Sequence, residues 1–207
     1  MKVLLVNASP HKQGNTFIAL SEIAGQLKKN GVEAEIMQVG VQPVRSCIAC
    51  SRCKAQGLGR CTFDDDICNR VIEQMKTSDA FIIGSPVYYG QPTGAALSLL
   101  HRMFYSAGDL FHNKPAATVA VCRRGGATAA YQTMNMAFEM MNMPIVTSQY
   151  WNIVYGREPG QAALDTEGMQ TMRTLANNMA CLLKKIHADG KPQYPEREPW
   201  QPMHFIR

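Results

Sequence analysis

Two stretches of this chain carry side chains suited to chemistry. The first is Cys47-Ile48-Ala49-Cys50-Ser51-Arg52-Cys53, followed after seven residues by Cys61. Four thiols packed so closely in sequence suit a tetrahedral metal or an iron–sulfur cluster. Zinc, a redox pair and free thiols are the other readings. Gly57 and Gly59 give the approach to Cys61 freedom to swing away from the rest. The second stretch is Asn7-Ala8-Ser9-Pro10-His11-Lys12-Gln13-Gly14-Asn15-Thr16, where an apolar run, Val3 to Val6, breaks into a small polar loop just before a helical pattern. Ser9, Asn15 and Thr16 supply hydroxyl and amide groups, the helix start supplies backbone N–H groups, and His11 and Lys12 supply positive charge. Together these suit a phosphate monoester. A simple capped helix after a strand is the plain alternative.

Other chemistries lack their residues. No Gly-x-x-x-x-Gly-Lys-Ser/Thr loop occurs. Gly57-Leu58-Gly59 opens a dinucleotide fingerprint but has no third glycine and follows no strand. No nucleophilic triad or acid–base pair is evident. Cys68, Cys122 and Cys181 fall in helix or strand patterns and read as buried small apolar residues. The methionines at 134, 136, 140, 141 and 143 read as adaptable core or interface packing.

The elements that must position these groups alternate. Buried strand-like runs at Val3–Val6, Ala80–Gly84 and Ala116–Cys122 are continuous and apolar, as in a parallel strand covered on both faces. Val32–Val39 alternates like an outer strand, and Ile145–Tyr155 is expected to be a fifth. Helical patterns cover Thr16–Lys29, Asp64–Lys76, Thr93–Tyr105, Ala129–Asn142 and Asp165–Ile186. Gln42–Phe63 is a long irregular stretch, expected to rise on the ligand side of the sheet. Strands alternating with helices imply a parallel sheet with helices on both faces, with ligands beyond the carboxyl ends of the strands. Three loops leave such ends: 7–16, 85–93 and 122–128.

Composition bounds the rest. With 207 residues and 46% hydrophobic content, one well-buried domain is expected. Residues 1–190 form that unit, and the proline-punctuated segment 191–207 reads as an extended tail. The charged fraction of 18% is below the usual roughly 25%. With the apolar tail residues Trp200, Met203, Phe205 and Ile206, it points to a homodimer or homotetramer. The net charge of +5 is spread out, with no basic run interleaved with aromatics, so no nucleic-acid partner is expected. No segment reaches membrane-span length. Met1-Lys2 leads straight into a strand with no leader pattern, so the expected location is cytoplasmic. Seven cysteines there are not read as structural disulfides.

Asn7-Ala8-Ser9-Pro10 with Gly14-Asn15-Thr16, then Gly84-Ser85-Pro86-Val87-Tyr88-Tyr89, resembles the NAD(P)H-dependent FMN reductase branch of the flavodoxin-like fold. The resemblance implies an α/β, doubly wound, five-stranded parallel sheet in the order 2-1-3-4-5. It implies FMN, with NAD(P)H as co-substrate and a small electron acceptor such as a quinone, free flavin or nitroaromatic. Ser9, His11, Asn15 and Thr16 would surround the phosphate. Pro86, Val87, Tyr88, Tyr89 and Gly90 would wrap the isoalloxazine edge, and Arg124, Gly125, Gly126 and Thr128 would face its other end. The cysteine stretch is similar to the compact motif of iron–sulfur flavoproteins, which implies a [4Fe-4S] cluster on Cys47, Cys50, Cys53 and Cys61. A carrier of that kind would exchange electrons with a ferredoxin-type partner, and a flavin-binding module without turnover is a third reading. One departure is His101-Arg102, where relatives often carry Asp-Arg, which leaves the role of that pair open.

Overall fold

Val3, Leu4, Leu5 and Val6 leave no polar face, and all four are fully buried. In the computed structural model, which describes residues 1–203 and 206, they lie in β1 (Lys2–Asn7). The other strands are β2 (Glu33–Gln38), β3 (Ala80–Pro86), β4 (Ala116–Cys122) and β5 (Ile153–Tyr155). All pairings are parallel, in the order β2-β1-β3-β4-β5, as expected. The helices are α1 (Asn15–Lys29), α2 (Arg52–Ala55), α3 (Cys68–Lys76), α4 (Gly94–Ala107), α5 (Ala127–Met140) and α6 (Thr166–Ile186).

Alternation along the strands divides the core. Val3 and Leu5 pack with α1 and α6 on one face. Leu4 and Val6 pack with α3, α4 and α5 on the other. There Phe81, Phe104 and Phe138 meet edge to face, with centroids 5.9 and 5.8 Å apart. Because every strand runs the same way, all connections that leave carboxyl ends open on one edge of the sheet.

Several elements differ from expectation. The fifth strand is short. Ile145 bridges to Ala116, and the chain then leaves the sheet until Ile153. The Ser148 hydroxyl holds this excursion by donating to Tyr150 O at 2.6 Å and engaging Asn152 Oδ1 at 2.7 Å. An edge strand tolerates such an interruption because only one neighbour loses its ladder. The helix expected from Asp64 begins at Cys68, because Asp66 is drawn to Arg102. Cys68 and Cys122 are buried, but Cys181 is exposed on the outer side of α6. Met134 and Met143 are core, whereas Met136 and Met140 face solvent. In the tail, Trp200, Met203 and Ile206 are exposed. Phe205 lies outside the described residues. Among the described residues, no helix is long and apolar enough to cross a membrane.

Candidate functional site

The loops after β1, β3 and β4 are locked together at the carboxyl edge of the sheet. Ala8 N–H donates to Gly84 O at 2.9 Å, and the Thr93 hydroxyl donates to Ala8 O at 3.0 Å. Ser85 Oγ accepts from Thr93 N at 2.9 Å, which closes the 85–93 turn onto the start of α4. A Cβ on Gly126, at φ +84°, would stand 2.7 Å from Gly90 Cα and 3.2 Å from Val87 Cγ1. The second and third loops therefore touch backbone to backbone.

In the first loop Ser9 Oγ accepts from His11 N at 3.1 Å, and Ser9 N donates to Asn7 Oδ1 at 3.1 Å. Ser9 and Thr16 are buried, while His11 and Lys12 are exposed. The Asn15 amide is engaged elsewhere: Nδ2 donates to Glu158 O at 3.0 Å, and Oδ1 accepts from Ala162 N at 3.1 Å. It pins a fourth loop, 156–165, to the first. What faces outward is the start of α1, which has no side-chain cap and no acid in its first turn. Its first amides have no intrahelical acceptor, the arrangement an anion uses.

Tyr88 to Gln91 form a tight hairpin turn, with Tyr88 N donating to Gln91 O at 2.8 Å and Gln91 N returning to Tyr88 O at 3.0 Å. Its central residues, Tyr89 and Gly90, have φ of +52° and +78°, the signature of a type I′ turn. Glycine suits that geometry. Tyrosine there is strained, and its ring stands fully in solvent. Arg124, Gly125, Gly126 and Thr128 are exposed across from it, while Pro86 and Val87 are half-buried. The glycine contacts and the exposure of these residues fit a flat ring lying close to backbone.

The cysteine segment does not rise above this edge as expected. It runs down one face of α4. Ser46 Oγ meets Ser98 Oγ at 2.8 Å, Arg45 O accepts from Arg102 at 2.9 Å, Ser51 Oγ meets Tyr105 OH at 3.1 Å, and Lys54 pairs with Asp109 at 3.1 Å. Partners at 98, 102, 105 and 109 form a single helical stripe that continues just past the end of α4. Cys47, Cys50, Cys53 and Cys61 all line one narrow cavity, with Arg102, Tyr105 and Ser106 on its α4 wall. Ala49 and Ser51, on either side of Cys50, have φ of +52° and +56°. Two strained non-glycine residues in one turn mark a backbone held by its surroundings. The Arg52 amide holds the Cys50 thiol below its ordinary value, helped by the Thr62 hydroxyl. Burial pushes the neighbouring Cys68 thiol up to about 12. Among the described residues, no three His, Cys, Asp or Glu side chains stand together as a metal-holding group. The four thiols on one cavity are nevertheless the donor set of a thiolate-bound cluster, and ligation would require the 47–61 segment to close around it.

Residue types and spacing picked out the three edge loops and the four cysteines. They missed Asn15 as a loop tether, the 156–165 loop, and the Asp66–Arg102 pair beneath the cysteines. That pair is bidentate, at 2.5 and 2.7 Å, with side chains 1% and 6% exposed. Burial works against the Asp66 charge. Hydrogen bonds from Arg102 and from the Cys68 and Arg45 amides outweigh it and hold the carboxyl below its ordinary value.

The comparisons with known proteins agree with this geometry. A family model described as NADPH-dependent FMN reductase matches residues 1–158. An iron–sulfur flavoprotein of Methanocaldococcus jannaschii is 30% identical over 194 residues, covering 90% of this chain and 99% of that protein. Among solved structures, RosB with a bound formylated riboflavin phosphate superposes with a TM-score of 0.70 at 14% identity, covering 100% of this chain and 95% of that one. A flavodoxin from the domain Archaea superposes with a TM-score of 0.60 at 12% identity, covering 89% and 99%. At those identities the two structures establish the flavodoxin-like fold.

Proposed function

This chain belongs to the NADPH-dependent FMN reductase family, and we propose that it is an FMN-dependent redox protein that relays electrons between FMN and a [4Fe-4S] cluster on Cys47, Cys50, Cys53 and Cys61. The observation that carries this reading is the lining of one cavity by all four cysteines. The name of the full-length relative, an iron–sulfur flavoprotein, supports it.

Bound FMN supplies hydride and electron chemistry at its ring, and a cluster supplies single-electron transfer. The protein's part is to hold and orient. Ser9 fixes the first loop through the His11 amide, so the first-turn amides of α1 would hold the terminal phosphate, with Lys12 adding positive field and His11 beside it. The side chains of Asn15 and Thr16 support that turn from within. Pro86 to Gly90 would flank one edge of the ring, and Arg124, Gly125, Gly126 and Thr128 would flank the other. The Arg52 amide stabilises the Cys50 thiolate, which favours ligation.

From Thr93 at the flavin edge to Arg102 at the cysteine cavity, α4 descends about 14 Å at 1.5 Å per residue. Electrons passing between a flavin at that edge and a cluster at that cavity would have to cover a depth of this order within a subunit or cross to a partner copy. The exposed Ile48, Leu58, Tyr105 and Leu110 around the cysteine segment favour a homodimer or homotetramer with this face covered. In this reading residues 1–190 are the FMN-binding unit, 191–207 the tail, a ferredoxin-type protein the redox partner, and the cytoplasm the location.

A second reading is direct reduction of a small acceptor by NAD(P)H. The fully exposed Tyr89 ring on a strained turn favours it, because it leaves the ring edge open to small molecules. Anaerobic purification followed by FMN, iron and acid-labile sulfide analysis tests the first reading. Near-stoichiometric iron and sulfide, lost in Cys50→Ser with FMN retained, supports it. FMN without iron or sulfide in both proteins rejects it. Steady-state NAD(P)H oxidation then decides for or against the second.

A further inference from the structure

Arg102 is the largest fully buried side chain, and its five N–H donors can be followed one by one. Nη1 donates to Asp66 Oδ2 at 2.5 Å and to Arg45 O at 2.9 Å. Nη2 donates to Asp66 Oδ1 at 2.7 Å and to Phe63 O at 3.4 Å. Arg45 and Phe63 bracket the cysteine segment, so one guanidinium ties both ends of that segment to α4. The fifth donor, Nε–H, is buried with no partner within hydrogen-bond distance, and the thiols that bear on the guanidinium are the cavity cysteine Cys61 and the buried Cys68. Buried donors are normally satisfied, most of all on a charged group. Arg102 also lines the cavity shared by Cys47, Cys50, Cys53 and Cys61.

We propose that Arg102 is the hydrogen-bond donor and charge partner of the cluster, its unmet Nε–H reaching a cluster sulfur and its cation setting the reduction potential. The inference rests on the cluster reading of the cysteine segment. A thiolate-bound cluster gathers negative charge in a narrow, poorly solvated cavity. Reduction adds one electron, with no bond made or broken at Arg102, and makes that charge larger. A fixed cation beside the sulfurs favours the reduced form, and hydrogen bonds to sulfur act in the same direction. Asp66 holds the guanidinium in place and satisfies its terminal nitrogens, leaving Nε as the donor to spare.

The test compares the parent protein with Arg102→Gln and Arg102→Lys, each loaded anaerobically with iron and sulfide. Iron, sulfide and FMN are measured, followed by an EPR-monitored redox titration. At the parent's midpoint the reduced-to-oxidised ratio of the cluster in Arg102→Gln should fall at least tenfold, about 59 mV for a one-electron couple. Arg102→Lys keeps a cation but loses Nε–H, and should shift less in the same direction. The FMN spectrum and content should not change. If Arg102→Gln does not take up the cluster, Arg102→Lys decides: a lowered potential supports the proposal and an unchanged one overturns it. Unchanged potentials in both variants also overturn it. Loss of the cluster from both, with FMN retained, overturns it too and leaves Arg102 as a tether. A parent protein that takes up neither iron nor sulfide sinks the cluster reading itself, which is a separate result.

Discussion

Gly126→Ala should weaken FMN binding about 30-fold while leaving the fold intact. At Gly126 the φ of +84° costs an L residue about 1–2 kcal/mol. The added Cβ would stand 2.7 Å from Gly90 Cα, well inside contact distance and against backbone, so no side-chain rotation relieves it. In the substituted free protein the exposed 123–126 loop is expected to shift away from Gly90. Binding the flavin between the two loops must bring them back together. If that recovers about 2 kcal/mol of strain, affinity falls about 30-fold. Titration of apoprotein with FMN, followed by quenching of flavin fluorescence, reads this directly. Gly190→Ala is the control, because Gly190 also has a positive φ, of +80°, but open space around it. It should lose stability and keep parental affinity. Gly126→Ala binding FMN within threefold of the parent would show that these two loops do not form one flavin seat.

Three further outcomes follow from the same contacts. Asp66→Ala leaves the Arg102 charge buried and unpaired, so it should cost about 3–5 kcal/mol, read in a thermal scan as a fall of about 2–4 °C per kcal/mol; a loss below 1 kcal/mol (about 1 kcal/mol being within surface-pair range) contradicts the pair's role. Because the Asp66 carboxyl is held below its ordinary value of 3.8, its contribution is present above that pH and is lost as pH falls through the lower folded value; Asp66→Asn should therefore flatten the acid limb of the stability curve, and an unchanged limb speaks against it. Asn15→Ala should free the 156–165 loop, seen as faster amide exchange there, and should weaken FMN binding less than Gly126→Ala; unchanged exchange would show that the two amide bonds do not hold the loop.

The sheet was readable because β1, β3 and β4 are buried on both faces and must be apolar throughout. Residues such as Val3 to Val6 and Ala116 to Cys122 carry that signal without help from distant partners. β5 is shorter than its sequence pattern suggests because an edge strand is less constrained, and the turn at Ser148 depends on its own hydroxyl meeting Tyr150 and Asn152. The start of α3 departs from the local pattern for a related reason. Asp64-Asp65-Asp66 looks like a helix start, but Asp66 serves an arginine 36 residues away, which no local pattern contains. The edge loops were legible by composition, yet Asn15 acts as a tether because the 156–165 loop comes within reach only in three dimensions. The cysteine segment was legible as a cluster of thiols. Its descent along α4 was not, because that path rests on single polar contacts at Ser98, Arg102, Tyr105 and Asp109.

Electron relay between FMN and a cluster can be read by counting electrons. The anaerobically purified protein is titrated with a reductant while the visible spectrum and EPR signals are recorded. The expected result is uptake of one electron per protomer beyond the pair that FMN takes, with the additional electron appearing as a paramagnetic cluster signal that disappears in Cys50→Ser. Uptake of the flavin's pair alone, with no cluster signal in the parent protein, would contradict it.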